Sequence, residues 1–217
     1  WNVGALFTLS PATKVGVSYR SKIRHTLEGD LTVSGPAQNA SPALTTGNAK
    51  ALVELPDTFI LSVAQQLNDK WEMLGDVSWT GWSSIDKVDI VRTSGSLSGR
   101  TVQTLDTAFR DSWRYALGAN YRFSDTLKLK FGVAYDQTPV PDTAHRLVSL
   151  PDANRTWLTT GAQIKLDKAS TVDLGAAYIQ VSESHIDNRQ ASLGRGDVKG
   201  VYDARVWILG AQYSMAF

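Results

Sequence analysis

The chain has 217 residues, enough for one large domain or two small ones. Its formal net charge of +1 excludes a strong electrostatic case for nucleic acid, and the lack of cysteine excludes a disulfide framework and thiol chemistry. Mean hydropathy is −0.18, and with no run of about 18 apolar residues a membrane-spanning helix is excluded as well. Seven Trp and seven Tyr are many for this size. That composition fits a soluble β-protein. It also fits a membrane barrel, in which only one face of each strand meets lipid.

Nine strand-like segments follow in order, at about 1–9, 14–33, 51–67, 71–92, 111–123, 127–138, 156–166, 171–183 and 200–217. Breaker clusters separate them. Short ones fall at 10–13, 68–70, 124–126 and 167–170, and long ones at about 34–50, 93–110, 139–155 and 184–199. Short and long alternate throughout, which predicts an up-and-down barrel with tight turns at one rim and long loops at the other. No segment shows amphipathic helical periodicity.

Each strand has two unlike faces. In 111–123, Trp113, Tyr115, Leu117, Ala119, Tyr121 and Phe123 oppose Arg114, Ala116, Gly118, Asn120 and Arg122. In 127–136, Leu127, Leu129, Phe131, Val133 and Tyr135 oppose Lys128 and Lys130. The apolar faces carry aromatics near their ends, as the two membrane interfaces require. An outward Lys or Arg would cost about 2–4 kcal/mol at the bilayer midplane. Arg114, Arg122, Lys128, Lys130 and Lys165 are therefore expected in the lumen. The predicted fold class is all-β, a transmembrane antiparallel up-and-down β-barrel. Segment 14–33 would extend over roughly 60 Å at strand rise, enough to stand above the bilayer. The final "QYSMAF" places Tyr213, Met215 and Phe217 on one face, similar to the terminal assembly signal of bacterial outer-membrane proteins.

With short turns on the periplasmic side, the first segment runs downward and leaves Trp1 at the outer rim. Single-chain bacterial barrels have an even strand count, so at least one strand is expected to precede Trp1. The chain begins without Met, which suggests a processed or truncated N-terminus, and it is not expected to close into a pore alone.

"VGVSYRSKIRHTLEGD" (15–30), "VELPDTFILS" (53–62), "WTGWSSID" (79–86), "WRYALGANYRF" (113–123), "GVAYDQTPVPD" (132–142) and "LPDANRTWLTTGA" (150–162) occur in this order. Together they resemble the outer-membrane long-chain fatty acid transporters of the FadL/TodX type, over nearly the whole chain. The resemblance implies the C-terminal nine strands of a monomeric fourteen-stranded barrel in the bacterial outer membrane. The hatch that plugs the lumen in that family, its first five strands, its wall opening and its main capture loop have no counterpart here. Residues 1–217 then form part of a single barrel domain. The implied function is passive uptake of long-chain fatty acids or similar hydrophobic molecules, with outer-membrane lipid and lipopolysaccharide as surroundings. Alternatives are uptake of neutral aromatic hydrocarbons, a lipid hydrolase and a general porin.

Five residues are candidates for ligand binding. Arg20, Lys22 and Arg24 lie on one face of segment 14–33, about 6.6 Å apart at strand rise, and could meet a carboxylate. They could equally pair with the lumen carboxylates Glu72, Asp76, Asp136 and Asp173. The resemblance places a cation just before "WRYALG", where Arg110 stands nearby. Trp79 and Trp82 have opposite parity, so one should face lipid and the other the lumen, and Trp82 could touch an acyl chain. Pro139, Pro141 and Pro151 suggest a rigid outer loop in which Asp152 and Arg155 could pair. His25, His145 and His185 show no metal spacing, Ser184 beside His185 points the opposite way along a strand, and neither catalysis nor a cofactor is expected.

Overall fold

The computed structural model describes residues 1–32, 46–193 and 196–216, and the expected assembly role of Phe217 lies outside them. In chain order the strands are β1 (Asn2–Ser10), β2 (Thr13–Arg20), β3 (Ile23–Leu31), β4 (Gly47–Leu55), β5 (Thr58–Gln66), β6 (Trp71–Thr80), β7 (Lys87–Arg92) and β8 (Thr101–Asp106). Then come β9 (Ser112–Arg122), β10 (Leu127–Asp136), β11 (Arg155–Lys165), β12 (Ser170–Val181), β13 (Ser184–Arg189), β14 (Asp197–Tyr202) and β15 (Arg205–Met215). Nine of them form one antiparallel sheet in the order β1-β2-β5-β6-β9-β10-β11-β12-β15, the up-and-down arrangement that the alternating breakers predict. A four-stranded sheet, β3-β4-β7-β8, and a hairpin, β13-β14, occupy the long-loop end.

The expected long strands are each broken. Segment 14–33 stops at Ser21, whose N–H donates to the Trp1 carbonyl at 2.9 Å. Segment 51–67 stops at Pro56, which has no N–H for a ladder. Segment 71–92 stops at Gly81, whose N–H donates to the Asp57 carbonyl at 3.0 Å. A Cβ at residue 81 would lie 2.4 Å from Asp57 Oδ1 and 2.9 Å from Trp79, so a larger residue there must displace one or both of these side chains. The three breaks adjoin one another at one rim, and there the main sheet gives way to the smaller one. Segment 200–217 likewise divides, its first residues joining β14 and the rest forming β15.

The tight turns are closed by their own side chains. Asn68 Oδ1 accepts from the N–H groups of Lys70 and Trp71, both at 3.0 Å. Asp167 Oδ1 accepts from Ala169 at 2.7 Å and Ser170 at 2.8 Å. These Asx turns explain why short polar residues punctuate this rim. At the Asp167 turn the Ala169 N–H is the main cause that holds the carboxyl below its ordinary range.

Register carries one apolar face across all nine strands. A single row runs Ala5, Val17, Leu61, Val77, Tyr115, Tyr135, Thr156, Gln180 and Arg205, polar only in its last three members toward the loop end. Below it runs Phe7, Val15, Val63, Gly75, Leu117, Val133, Leu158, Tyr178 and Trp207. Among the described residues no layer covers this face: Leu117 is 63% exposed and Leu209 80%. A contiguous apolar surface of this extent needs a nonaqueous neighbour, and lipid supplies it. Aromatics gather near both ends, with Trp1 on Tyr19 and Trp79 opposite Trp113 in one row, and Tyr178 packs on Trp207 farther round the wall. Trp71 on Tyr121, with Phe123 beside it, marks the other end.

Candidate functional site

On the opposite face the charges pair across strands. Asp76 on β6 lies 3.3 Å from Arg114 on β9, and Lys130 on β10 lies 2.9 Å from Asp173 on β12. Asn120 donates to Glu72 at 2.7 Å. Arg155 bridges Asp136 at 3.1 Å and Asp152 at 3.5 Å, so the pair expected within the outer loop forms and also reaches the wall. The four lumen carboxylates considered as partners for Arg20, Lys22 and Arg24 are thus engaged elsewhere.

A cavity of about 330 Å³ opens where this network meets the loops. Arg114, Asp136, Asp152 and Arg155 form its polar side, and Trp82, Phe109, Pro139 and Leu150 its apolar side. Trp82 meets Phe109 edge to face, with ring centroids 6.1 Å apart. Phe109 is buried with Ile85 and Val140, and Trp82 and Val88 pack against that cluster. The backbone holds it in place. Thr107 Oγ1 donates to the Ile85 carbonyl at 2.6 Å and the Asp86 carbonyl at 2.9 Å. Ala108 takes a φ of 42°, a left-handed conformation uncommon outside glycine, directly before Phe109. Over the cavity, Thr138 Oγ1 donates to Asp152 Oδ2 at 2.7 Å and its N–H to Asn154 Oδ1 at 2.9 Å.

Of the five candidates, only Trp82 lines this cavity. Its partner in the parity argument, Trp79, stands on the lipid-facing row opposite Trp113. Arg110 is exposed, and its N–H donates to the Pro139 carbonyl at 2.9 Å. Arg20, Lys22 and Arg24 do not form one row. Arg20 ends β2, opposite Asn2 and Thr58, whereas Lys22 and Arg24 converge on Glu54 at 3.4 and 2.6 Å. Hydrogen bonding to Arg24 is the largest cause that holds the Glu54 carboxyl below its ordinary range, and Lys22 adds to it. Two cations thus share one carboxylate, and Arg20 stands apart at the end of β2.

Arg114 and Asp136 were legible as lumen charges and Arg155 as a partner of Asp152 in the outer loop, but the three were not legible as one site. The signal was parity: opposite charges on the inner face of successive strands, which register brings level. No group of three or more metal-binding side chains occurs among the described residues. Ser184 Oγ is buried without a hydrogen-bond partner among the described residues, and His185 Nε2 faces Glu183 at 3.4 Å.

Residues 1–217 match the family described as outer membrane protein transport protein (OMPP1/FadL/TodX). Outer membrane protein NMB0088 of Neisseria meningitidis serogroup B is 32% identical over 98% of this chain and 49% of its own length. A long-chain fatty acid transport protein of Escherichia coli O6:H1 is 27% identical over 100% of this chain and 49% of its own length. Among solved structures, a FadL homologue of Pseudomonas aeruginosa superposes with a TM-score of 0.87 at 24% identity, covering 99% of this chain and 51% of that one. The chain thus spans about half the length of these relatives. Its nine-stranded sheet is part of a barrel wall, its apolar face meets the lipid of a Gram-negative outer membrane, and it belongs to the OMPP1/FadL/TodX family of outer membrane transport proteins.

Proposed function

We propose that the protein containing this chain passes long-chain hydrophobic molecules, fatty acids foremost, across the outer membrane without a covalent step. The cavity at the loop end of the lumen carries this reading. Its aromatic side suits an acyl chain, and burial at about 0.8 kcal/mol per CH₂ drives entry. Its guanidinium groups can hydrogen-bond a polar head. The name of the E. coli relative supports the fatty acid as ligand. Lys22 and Arg24, which outnumber Glu54, and Arg20 at the end of β2 serve as outer cations that draw in an anionic head.

Two variants of the intact protein test this in cells lacking any other fatty acid importer. Replacing Trp82 by Ala removes apolar cavity wall, and uptake of a long-chain fatty acid and of the alcohol of equal length should both fall severalfold. Neutralising Arg20, Lys22 and Arg24 together to Gln should lower fatty acid uptake severalfold and spare the alcohol. Uptake is normalised to folded barrel by heat-modifiable gel mobility. Equal losses in the triple variant would assign these cations to stability, and unchanged uptake in both variants would contradict the site.

A further inference from the structure

The tight-turn end of the lumen carries a second, oppositely balanced set of charges. Arg122 on β9 and Lys128 on β10 are direct cross-strand partners on the lumen face. Like charges directly opposite destabilise a sheet, so this pairing needs a compensating partner. Lys165 on β11 lies on the same face, two residues beyond Gln163, which is the partner of Lys128. All three cations border one concavity of about 240 Å³, with Gln163, Ser124 and Asp125.

No carboxylate among the described residues lies within 4.0 Å of Arg122, Lys128 or Lys165, although the other lumen cations Arg114, Lys130 and Arg155 each have one. Asp173, the nearest inner-face carboxylate along β12, is already held by Lys130 at 2.9 Å and by Gln163 Nε2 at 3.1 Å. Asp125 sits in the turn and leaves a local excess of two positive charges. Gln163 donates to Asp173 and also lines the lower concavity, so it stands between the two sets.

We propose that Arg122, Lys128 and Lys165 form a carboxylate-binding site at the tight-turn end of the lumen. A carboxylate there accepts charge-assisted hydrogen bonds from two strands at once and relieves the Arg122–Lys128 repulsion. The same chemistry comes from two sources: the head of a fatty acid, or an acidic side chain elsewhere in the same protein.

The experiment uses the intact protein with Arg122 and Lys128 both changed to Gln, and separately with Lys165 changed to Gln. The probes are dodecanoate and dodecanol, measured by equilibrium binding at low ionic strength, and thermal unfolding is followed in parallel. Loss of dodecanoate affinity of about tenfold, with dodecanol affinity and unfolding temperature unchanged, identifies the free acid as occupant. A lower unfolding temperature with both ligands equally affected identifies an internal carboxylate. Unchanged binding and unchanged or higher unfolding temperature would overturn the site, because the cations would then be solvated charges that merely repel. The Proposed function stands or falls separately, since its loss would show as no binding of either probe to the unaltered protein.

Discussion

Lysine in place of Leu209 or Leu117 should prevent the intact protein from reaching its folded, heat-modifiable form in the outer membrane. Both side chains project from the middle of long strands on the uncovered apolar face, and they are 80% and 63% exposed. In water such exposure would be tolerable for a charge. In hydrocarbon a lysine at the midplane costs about 2–4 kcal/mol, a large share of a typical stability of roughly 5–15 kcal/mol. The matched control is serine at Gly210. That residue neighbours Leu209 but faces the lumen, and a Cβ there meets nothing within 4 Å. It should fold as the unaltered protein does. Serine at Gly118 is the weaker control, because its Cβ would stand 3.3 Å from the Phe131 carbonyl oxygen. Heat-modifiable mobility of outer-membrane fractions reads all four. Equal folding of the lysine and serine variants would contradict the assignment of faces.

Methionine at Arg146 should release the outer loop from the β13-β14 hairpin while leaving the nine-stranded sheet intact. Arg146 is 7% exposed, and no carboxylate among the described residues lies within 4.0 Å of it. Its guanidinium instead donates to two main-chain carbonyls, from Nε to Asp152 at 3.1 Å and from Nη1 to His185. Asn188 Nδ2 returns a bond to the Arg146 carbonyl at 3.4 Å, and the Asp187 N–H donates to Thr143 at 2.9 Å. Removing the guanidinium strands two acceptors, each at about 1–3 kcal/mol if they stay dry. Methionine keeps the apolar stem and much of the volume, so lost packing is a minor part of the effect. Amide hydrogen exchange should rise about tenfold or more across 137–155 and 184–189. Exchange in β9, β10 and β12 should not change. Unaltered loop protection would show that the proline-fixed backbone holds the loop without this arginine.

How far the sequence could be read follows from what each element is made of. The nine wall strands were legible because a sheet with lipid on one side and water on the other must alternate in period two. Leu127 to Asp136 shows this in its leucines and lysines alone. The breaks at Ser21, Pro56 and Gly81 were present as letters, but alternation resumes beyond each, so the segments read as continuous. β8 and β13 are six residues each, with little apolar content, and pair with short partners at the loop end, while β14 was read only in its second half, as the start of 200–217. Nothing in "SHIDNR" distinguishes a strand from a polar loop. The cavity was partly legible. Trp82 was named on parity with Trp79, but the strand ends before Gly81 and Trp82 sits in a 3-10 turn, Trp82–Ser84, beyond the reach of that parity. Phe109 was not legible, since its position rests on the left-handed Ala108 and on Thr107 bonding to Ile85 and Asp86, contacts of long sequence separation. The row Arg20, Lys22, Arg24 assumed an unbroken strand, and the break at Ser21 sends Lys22 and Arg24 to Glu54 while Arg20 stays on the wall.

Nitroxide labels placed singly at positions 207 to 212 of the intact protein in bilayers test the central claim, that the apolar face of this sheet is the lipid face. Accessibility to oxygen, which partitions into hydrocarbon, should be high at 207, 209 and 211, where Trp207, Leu209 and Ala211 stand in the outward rows. It should be low at 208, 210 and 212, where Ile208, Gly210 and Gln212 face the lumen. The opposite alternation, or none, would contradict the account.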